Sequence, residues 1–518
     1  MHAQLAYSRR RYPVLVMLCL GFAMLAGCAT QTLRQDLIRD PPSFAPPPAQ
    51  SGMLAEISAR ITSENGEDSS GFRLLDSSFD GLYWRLALID SAVSSLEIQT
   101  YLWYPDHSGR LILDRALQAA NRGVKVRLII DDLLTIGLDQ VIYAIQQNPN
   151  VEVRLFNPWG KRNTLARAGQ GLVELDRLNQ RMHDKLLVAD GRAAVVGGRN
   201  IGDHYFGLSK DFNFHDLDVL GFGQIALQAN GMFDHFWNSD WVVSAKNLDQ
   251  DYDPGSARQK LAEMQARVEQ APDLSAFPRE RKDWSGELQD VAGKLHPGTS
   301  NLIYDETTAT ALNQKVAGQL FGMMGLAERE LLITNAYIIP EQRGIDFLRD
   351  LTERGVDVRI LTNSLASNDT PAVTKHYKKW RDDFIEAGVR LYEMRHDAAI
   401  QQGVVDVPPV HGGFMGLHTK SFVVDRRLCF IGSMNFDPRS INLNAEAGAF
   451  IDSPGLAADL AAVMLRDMAP ENAWQVFLDE KGRLYWVDSD QRVNRQPVRK
   501  GSQRIMEQIL GILPKKHY

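Results

Sequence analysis

The chain has 518 residues, 44% apolar and 23% charged, an ordinary globular composition in a length that calls for two domains or two fused halves. Its formal net charge is −7, and about −10 once residues 1–28, with three arginines and no acid, are set aside. That balance excludes a general nucleic-acid binder, whose phosphate contacts need a broadly basic surface, but allows a local basic pocket.

The first element is a targeting segment. Arg9-Arg10-Arg11 is followed by an apolar run over residues 14–25, shorter than the about 20 residues of a comfortable membrane span. The run ends in Leu25-Ala26-Gly27-Cys28, which resembles the lipobox of bacterial lipoproteins. That resemblance implies cleavage before Cys28, lipidation of Cys28 and a body facing the periplasm from the cell envelope. Ala29 in place of an acid is similar to the outer-membrane signal of such proteins; an uncleaved signal anchor is the alternative. Cys19 and Cys429 are the only other cysteines, so no intramolecular disulfide is expected after processing. Cys429, in Leu428-Cys429-Phe430-Ile431, reads as a small core residue of a buried strand. Residues 29–55, with Pro41-Pro42 and Pro46-Pro47-Pro48, read as a semi-rigid tether.

Beyond the tether the chain repeats itself. Residues 96–101 read as a strand, a helix passes through Leu111, Leu117 and Ala120, and Arg122-Gly123 leads to a strand over 124–130. Residues 331–334, the helix marked by Phe347, Leu348 and Leu351, Arg354-Gly355 and the strand over 356–361 repeat that order. Both copies are βαβ units, which favour parallel pairing, and 153–156 and 389–392 are matching third strands. The expected division is a first half over 56–244, a charged connecting segment over 245–300 and a second half over 301–518. Ile505-Met506, Ile509-Leu510 and Ile512-Leu513 mark a C-terminal helix, docked on the body or lying at a lipid interface.

Each half carries the same motif. His183, Lys185 and Asp190 precede Gly197-Gly198-Arg199-Asn200; 235 positions later, His418, Lys420 and Asp425 precede Gly432-Ser433-Met434-Asn435. On a strand, the histidine and lysine of H-x-K share a face, as do Ser433 and Asn435. Asp190 and Asp425, seven residues after their histidines and next to turn-like residues, are expected to be structural. One H-x-K is noise, whereas two complete copies in a duplicated framework point to a shared site. Two histidines, two lysines and two asparagines suit a phosphodiester: one neutral imidazole attacks phosphorus, and the other, protonated, supplies the leaving oxygen's proton. Lys185, Lys420, Asn200, Asn435 and the Ser433 hydroxyl would bind the non-bridging oxygens. Each histidine also needs an acceptor on its second ring nitrogen. Glu446 is the candidate in the second half; in the first, Asp216 and Asp218 share a face and sequence does not choose, with Asp218 preferred.

These residues resemble the HKD motifs of the phospholipase D superfamily over roughly residues 75 to 515. Gly197–Asp203, Leu361–Ala366 and Asn435–Ser440 are similar to bacterial cardiolipin synthases, the C type in particular. The resemblance implies an α/β fold of two similar βαβ-rich halves packed about a pseudo-twofold with one shared active site. It implies a phosphatidyltransferase working through a phosphohistidine, with analogy favouring His183, and with no metal or other cofactor. Its substrates would be phosphatidylglycerol and a second phospholipid such as phosphatidylethanolamine, with no nucleic acid. A phospholipase D-type hydrolase releasing phosphatidic acid is the alternative, and a lipid-binding scaffold without turnover is a third reading. Gly198 departs from the serine common at that position, so the two halves are not expected to be equivalent.

Overall fold

The computed structural model describes residues 40–504 except 134, 136–137, 160–174, 249–251 and 309–310. The βαβ units form as their sequence pattern dictates. Strand Ser95–Thr100 runs parallel to Lys125–Asp131, and helix His107–Asn121 crosses between them. The Asp106 carboxylate caps that helix by accepting from the Gly109 N–H, and Arg122-Gly123 ends it, with Gly123 at φ 99°. In the second half, strand Glu330–Asn335, helix Glu341–Glu353 and strand Asp357–Asn363 repeat the unit, with Gly355 at φ 91° in the same stop position.

The full sheet shows the duplication. Across the first half the strand order is Val242–Ser244, Val151–Phe156, Lys125–Asp131, Ser95–Thr100, Leu186–Ala189, Ala193–Gly197, Asp218–Gly223, Ser69–Leu75. The second half reads Ala473–Leu478, Arg390–Met394, Asp357–Asn363, Glu330–Asn335, Lys420–Val424, Leu428–Gly432, Ala447–Asp452, His296–Tyr304. The last strand of each series pairs with the other, Ser69 opposite Thr299 and Phe72 opposite His296, so the half-sheets join along one antiparallel seam. Helices Gln224–Trp237 and Pro454–Asp467 occupy equivalent places and share one apolar cluster, which includes Phe233, Phe236, Leu460 and Met464. The fold is α/β with two like halves about a pseudo-twofold.

Two expected boundaries move. The spacer is already bound to the body from Ser43 onward. Asn238 and Asp234 side chains take the N–H groups of Ser43 and Ala45, at 2.9 and 3.0 Å, and Ala49 N–H reaches the Asp190 carbonyl at 2.9 Å. The connecting segment is also not free. Trp284, Leu288 and Val291 lie in the first half's core, and strand His296–Tyr304 is the second half's side of the seam. Composition hid this because most of the helix Pro254–Glu269 is solvated and only Ala257 and Val268 are buried. The C-terminal helix markers and Cys28 lie outside the described residues. Cys429 is buried and free.

Candidate active site

Each H-x-K leads into the first strand of a hairpin, and the G-x-x-N segment leaves the second. The hairpins are Leu186–Ala189 with Ala193–Gly197, and Lys420–Val424 with Leu428–Gly432. Their three-residue turns begin on the motif aspartates, which have left-handed backbones, φ 59° at Asp190 and 51° at Asp425. The Asp190 carboxylate accepts the N–H groups of Val93, Ser94 and Ser95; Asp425 accepts those of Glu328, Arg329 and Glu330. Each aspartate thus ties the far end of its hairpin to the start of the neighbouring parallel strand. It acts on strand register, at the opposite end of the strand from its histidine.

The histidines are held crosswise. His183 N–H donates to Ala445 O at 2.8 Å, and its Nδ1 lies 2.8 Å from Glu446 Oε2 in the other half. His418 N–H donates to His215 O at 2.8 Å, and its Nδ1 lies 2.6 Å from Asp216 Oδ2. Both carboxylates are held below their ordinary range despite burial, by the histidines they face and by the Lys420 and Lys185 charges, so each Nδ1 is the donor and each Nε2 keeps its lone pair. Burial pushes the imidazoles down, His183 to about 4 and His418 to about 3. Both rings are therefore neutral near pH 7. Burial likewise lowers Lys185 to about 7 and Lys420 to about 8, and each ammonium donates to the carbonyl of its own motif histidine. The positive charge of each lysine also depresses the histidine of the opposite half, so the two motifs converge on one place.

The acceptor preferred for the first half is corrected. Asp218 takes Arg85 at 2.8 Å and Arg199 at 3.0 Å and reaches neither histidine. The strand begins at Asp218, whereas Asp216 precedes it in the segment that crosses to the other half, so period-two alternation does not relate them. The missed signal was structural equivalence: Asp218 pairs with Gly197 as Gly448 pairs with Gly432, and two residues earlier stand Asp216 and Glu446. Ser433 is corrected as well. Its hydroxyl, expected to bind a non-bridging oxygen, donates to Glu446 Oε2 at 2.5 Å and accepts from Ala447 N–H at 3.0 Å, so it braces that carboxylate. Gly198 is its counterpart. A Cβ there would fall 2.2 Å from Asp216 Oδ1, so the first half combines Asp with Gly where the second combines Glu with Ser.

Asn200 Oδ1 accepts the Leu102 N–H at 3.3 Å and its side chain also hydrogen-bonds Tyr205; Asn435 is buried and, among the described residues, its Oδ1 has no partner. Three aromatic side chains complete the walls. Tyr101 stands edge-on to His183, with ring centres 5.0 Å apart; Tyr205 and Phe214 contact His418 at 5.2 and 5.0 Å. Nothing in the H-x-K pattern pointed to them.

A family model described as cardiolipin synthase, PLD-like domain, matches residues 86–237 and 320–468, which hold both motifs. The chain belongs to the PLD-like cardiolipin synthase family. One relative in this family, cardiolipin synthase C of Escherichia coli K12, is 34% identical over 451 residues, covering 85% of this chain and 94% of its own. A cardiolipin synthase of Staphylococcus aureus Mu50 is 26% identical over 74% of this chain and 64% of its own. The fold is shared with phosphatidylserine synthase of Haemophilus influenzae, at a TM-score of 0.53 and 16% identity over 79% of this chain and 91% of that one. Among the described residues of this family member, no helix is long and apolar enough to cross a membrane.

Proposed function

We propose that this enzyme transfers a phosphatidyl group from one phospholipid to the hydroxyl of phosphatidylglycerol, making cardiolipin through a phosphohistidine. The observation that carries the reading is the pair of histidines, each with Nδ1 held by a carboxylate of the opposite half, beside two buried lysines. His183 Nε2 attacks phosphorus, the N–P bond forms and the P–O bond to the leaving alcohol breaks. His418 gives that oxygen a proton, so glycerol or ethanolamine departs neutral. His418, now with a free lone pair, takes the proton of the incoming hydroxyl; its oxygen attacks phosphorus, and His183 is released. The donor's negative phosphate is what raises His418 enough to hold its proton, and Lys185, Lys420, Asn200 and Asn435 stabilise the non-bridging oxygens. Asp216 and Glu446 fix the tautomers, and lipidation at Cys28 keeps the site at a membrane of the cell envelope, the outer membrane in the reading from Ala29.

The test incubates purified protein with phosphatidylglycerol, alone and with phosphatidylethanolamine, and identifies lipid products and modified peptides by mass spectrometry. Cardiolipin, released glycerol or ethanolamine, and a phosphatidyl group on the peptide containing His183 are expected. Phosphatidic acid without cardiolipin assigns hydrolysis instead, and a phosphatidyl group on His418 reverses the two histidine roles. His183→Ala that still binds lipid vesicles but makes no product separates an enzyme from a scaffold.

A further inference from the structure

Outside the two-histidine centre, Arg499 is a cation whose surroundings are mostly aromatic. The Arg499 guanidinium lies 3.2 Å from the centre of the Phe414 ring, and its Nε is shut off from water without a hydrogen-bond partner. Among the described residues, the guanidinium makes one hydrogen bond, a long one of 3.5 Å to the Asn368 carbonyl. Burial lowers it to about 10, with only Asp369 pulling the other way. Arg499 is half-buried; the fully buried Arg115, Arg181 and Arg381 have carboxylates at 2.5, 3.1 and 2.6 Å. Among the described residues, no carboxylate stands at ion-pair distance from Arg499. A half-buried guanidinium without a carboxylate partner keeps donors free for an anion, and a planar five-donor fork fits a phosphodiester.

Its position connects it to the chemistry. Phe414 stacks on Phe212 at 4.9 Å, and Phe212 on His204 at 4.3 Å, forming a row of rings from one half to the other. Phe212 and Phe414 directly precede the paired segments Asn213–His215 and Met415–Leu417, which lead into Asp216 and His418. Phe212 also packs on Phe214 at 5.1 Å and Phe214 on His418 at 5.0 Å, so Arg499 stands at the end of a row of rings that reaches His418. The exposed Asp369 carboxylate accepts from the Tyr337 hydroxyl and does not neutralise Arg499.

We propose that Arg499 binds the phosphodiester of the accepting phospholipid while the donor phosphate is joined to histidine. The proposal rests on the transferase reading above. A transferase that joins two phospholipids handles two phosphates at once, whereas a hydrolase whose acceptor is water handles one. Arg499 then makes an acceptor with its own phosphate better than a bare alcohol, and it touches no reacting atom.

The experiment compares glycerol 3-phosphate with glycerol as acceptors, with phosphatidylethanolamine as donor in mixed micelles and kcat/KM read for each. The two differ by the phosphate alone. Wild type is expected to favour glycerol 3-phosphate at least tenfold, and Arg499→Gln to bring the ratio near unity. Arg499→Lys, which keeps charge without the fork, is expected between them. Adding inorganic phosphate to the glycerol reactions is expected to leave transfer to glycerol unchanged, since the anion must be joined to the attacking hydroxyl. The proposal is overturned if wild type shows no preference, if Arg499→Gln keeps the ratio within twofold, or if it loses both reactions equally. Wild type that makes no cardiolipin from phosphatidylglycerol overturns the transferase reading instead, and is recorded separately.

Discussion

The crosswise hold on the histidines predicts how four variants should group. Asp216→Asn and Glu446→Gln keep side-chain size but remove the charge beside Nδ1, at 2.6 and 2.8 Å in the native site. Charges about 4 Å apart interact by roughly 4 kcal/mol at an effective dielectric of about 20, and an amide recovers part of that by hydrogen bonding. A loss of about 2–4 kcal/mol in the transition state corresponds to roughly 30- to 1,000-fold in kcat. Size alone does not test the geometry; the leaving group does. With phosphatidyl-p-nitrophenol, the phenolate leaves without a proton, so the acid becomes dispensable in the first step. The burst of p-nitrophenolate is then expected nearly intact in His418→Ala and Asp216→Asn, and abolished or strongly slowed in His183→Ala and Glu446→Gln. Thermal melts within a few degrees of wild type confirm that each variant is folded. If Asp216→Asn behaves like His183→Ala, the carboxylates serve the histidines of their own halves and the crosswise reasoning fails.

Because His418 must gain a proton, kcat/KM declines as pH rises, and buried lysines lowered to about 7 and 8 predict a steeper fall through that range, where the ammonium charges that bind phosphate are lost. On the acid side it should fall near pH 4, where His183 protonates; a profile flat from pH 5 to 10 contradicts this. Gly198→Ser, which would make the first half resemble the second, drives a Cβ into Asp216 Oδ1. It is expected to cost about 1–3 kcal/mol of stability and at least tenfold in activity, read by denaturant unfolding and lipid assay. Asp190→Ala removes the acceptor for three backbone N–H groups. Its expected effect is on unfolding, about 2–3 kcal/mol, with kcat of the folded protein changed less than tenfold. A kcat loss matching that of His183→Ala would instead give Asp190 a part in the chemistry.

Legibility varied with the range of the interaction. The βαβ units were readable because strand, helix and Arg-Gly stop are local patterns, with the Gly123 and Gly355 backbones at φ 99° and 91°. Asp190 and Asp425 could be set aside from the chemistry on spacing alone, since strand alternation and a following turn are also local. The acceptors were a different matter. Period two was applied across Asp216 and Asp218, but the chain leaves the sheet between them, and only the register opposite Gly197 separates the two roles. Ser433 was read as a ligand for substrate because a hydroxyl beside the motif suits an anion; its partner, Glu446, is 13 residues away and buried.

Sequence by itself determined the duplication, the two histidine–lysine pairs and the chemistry they suit, because these depend on residue identity at short, repeated spacings. Only the tertiary structure decided that Glu446 serves His183 and Asp216 serves His418, over separations of 263 and 202 residues. It also decided that Tyr101 and Tyr205 wall the site and that, among the described residues, no carboxylate pairs with Arg499. The physical reason is the seam. Joining two like half-sheets edge to edge brings each half's crossing segment against the other's histidine, and no local pattern along either half encodes that contact.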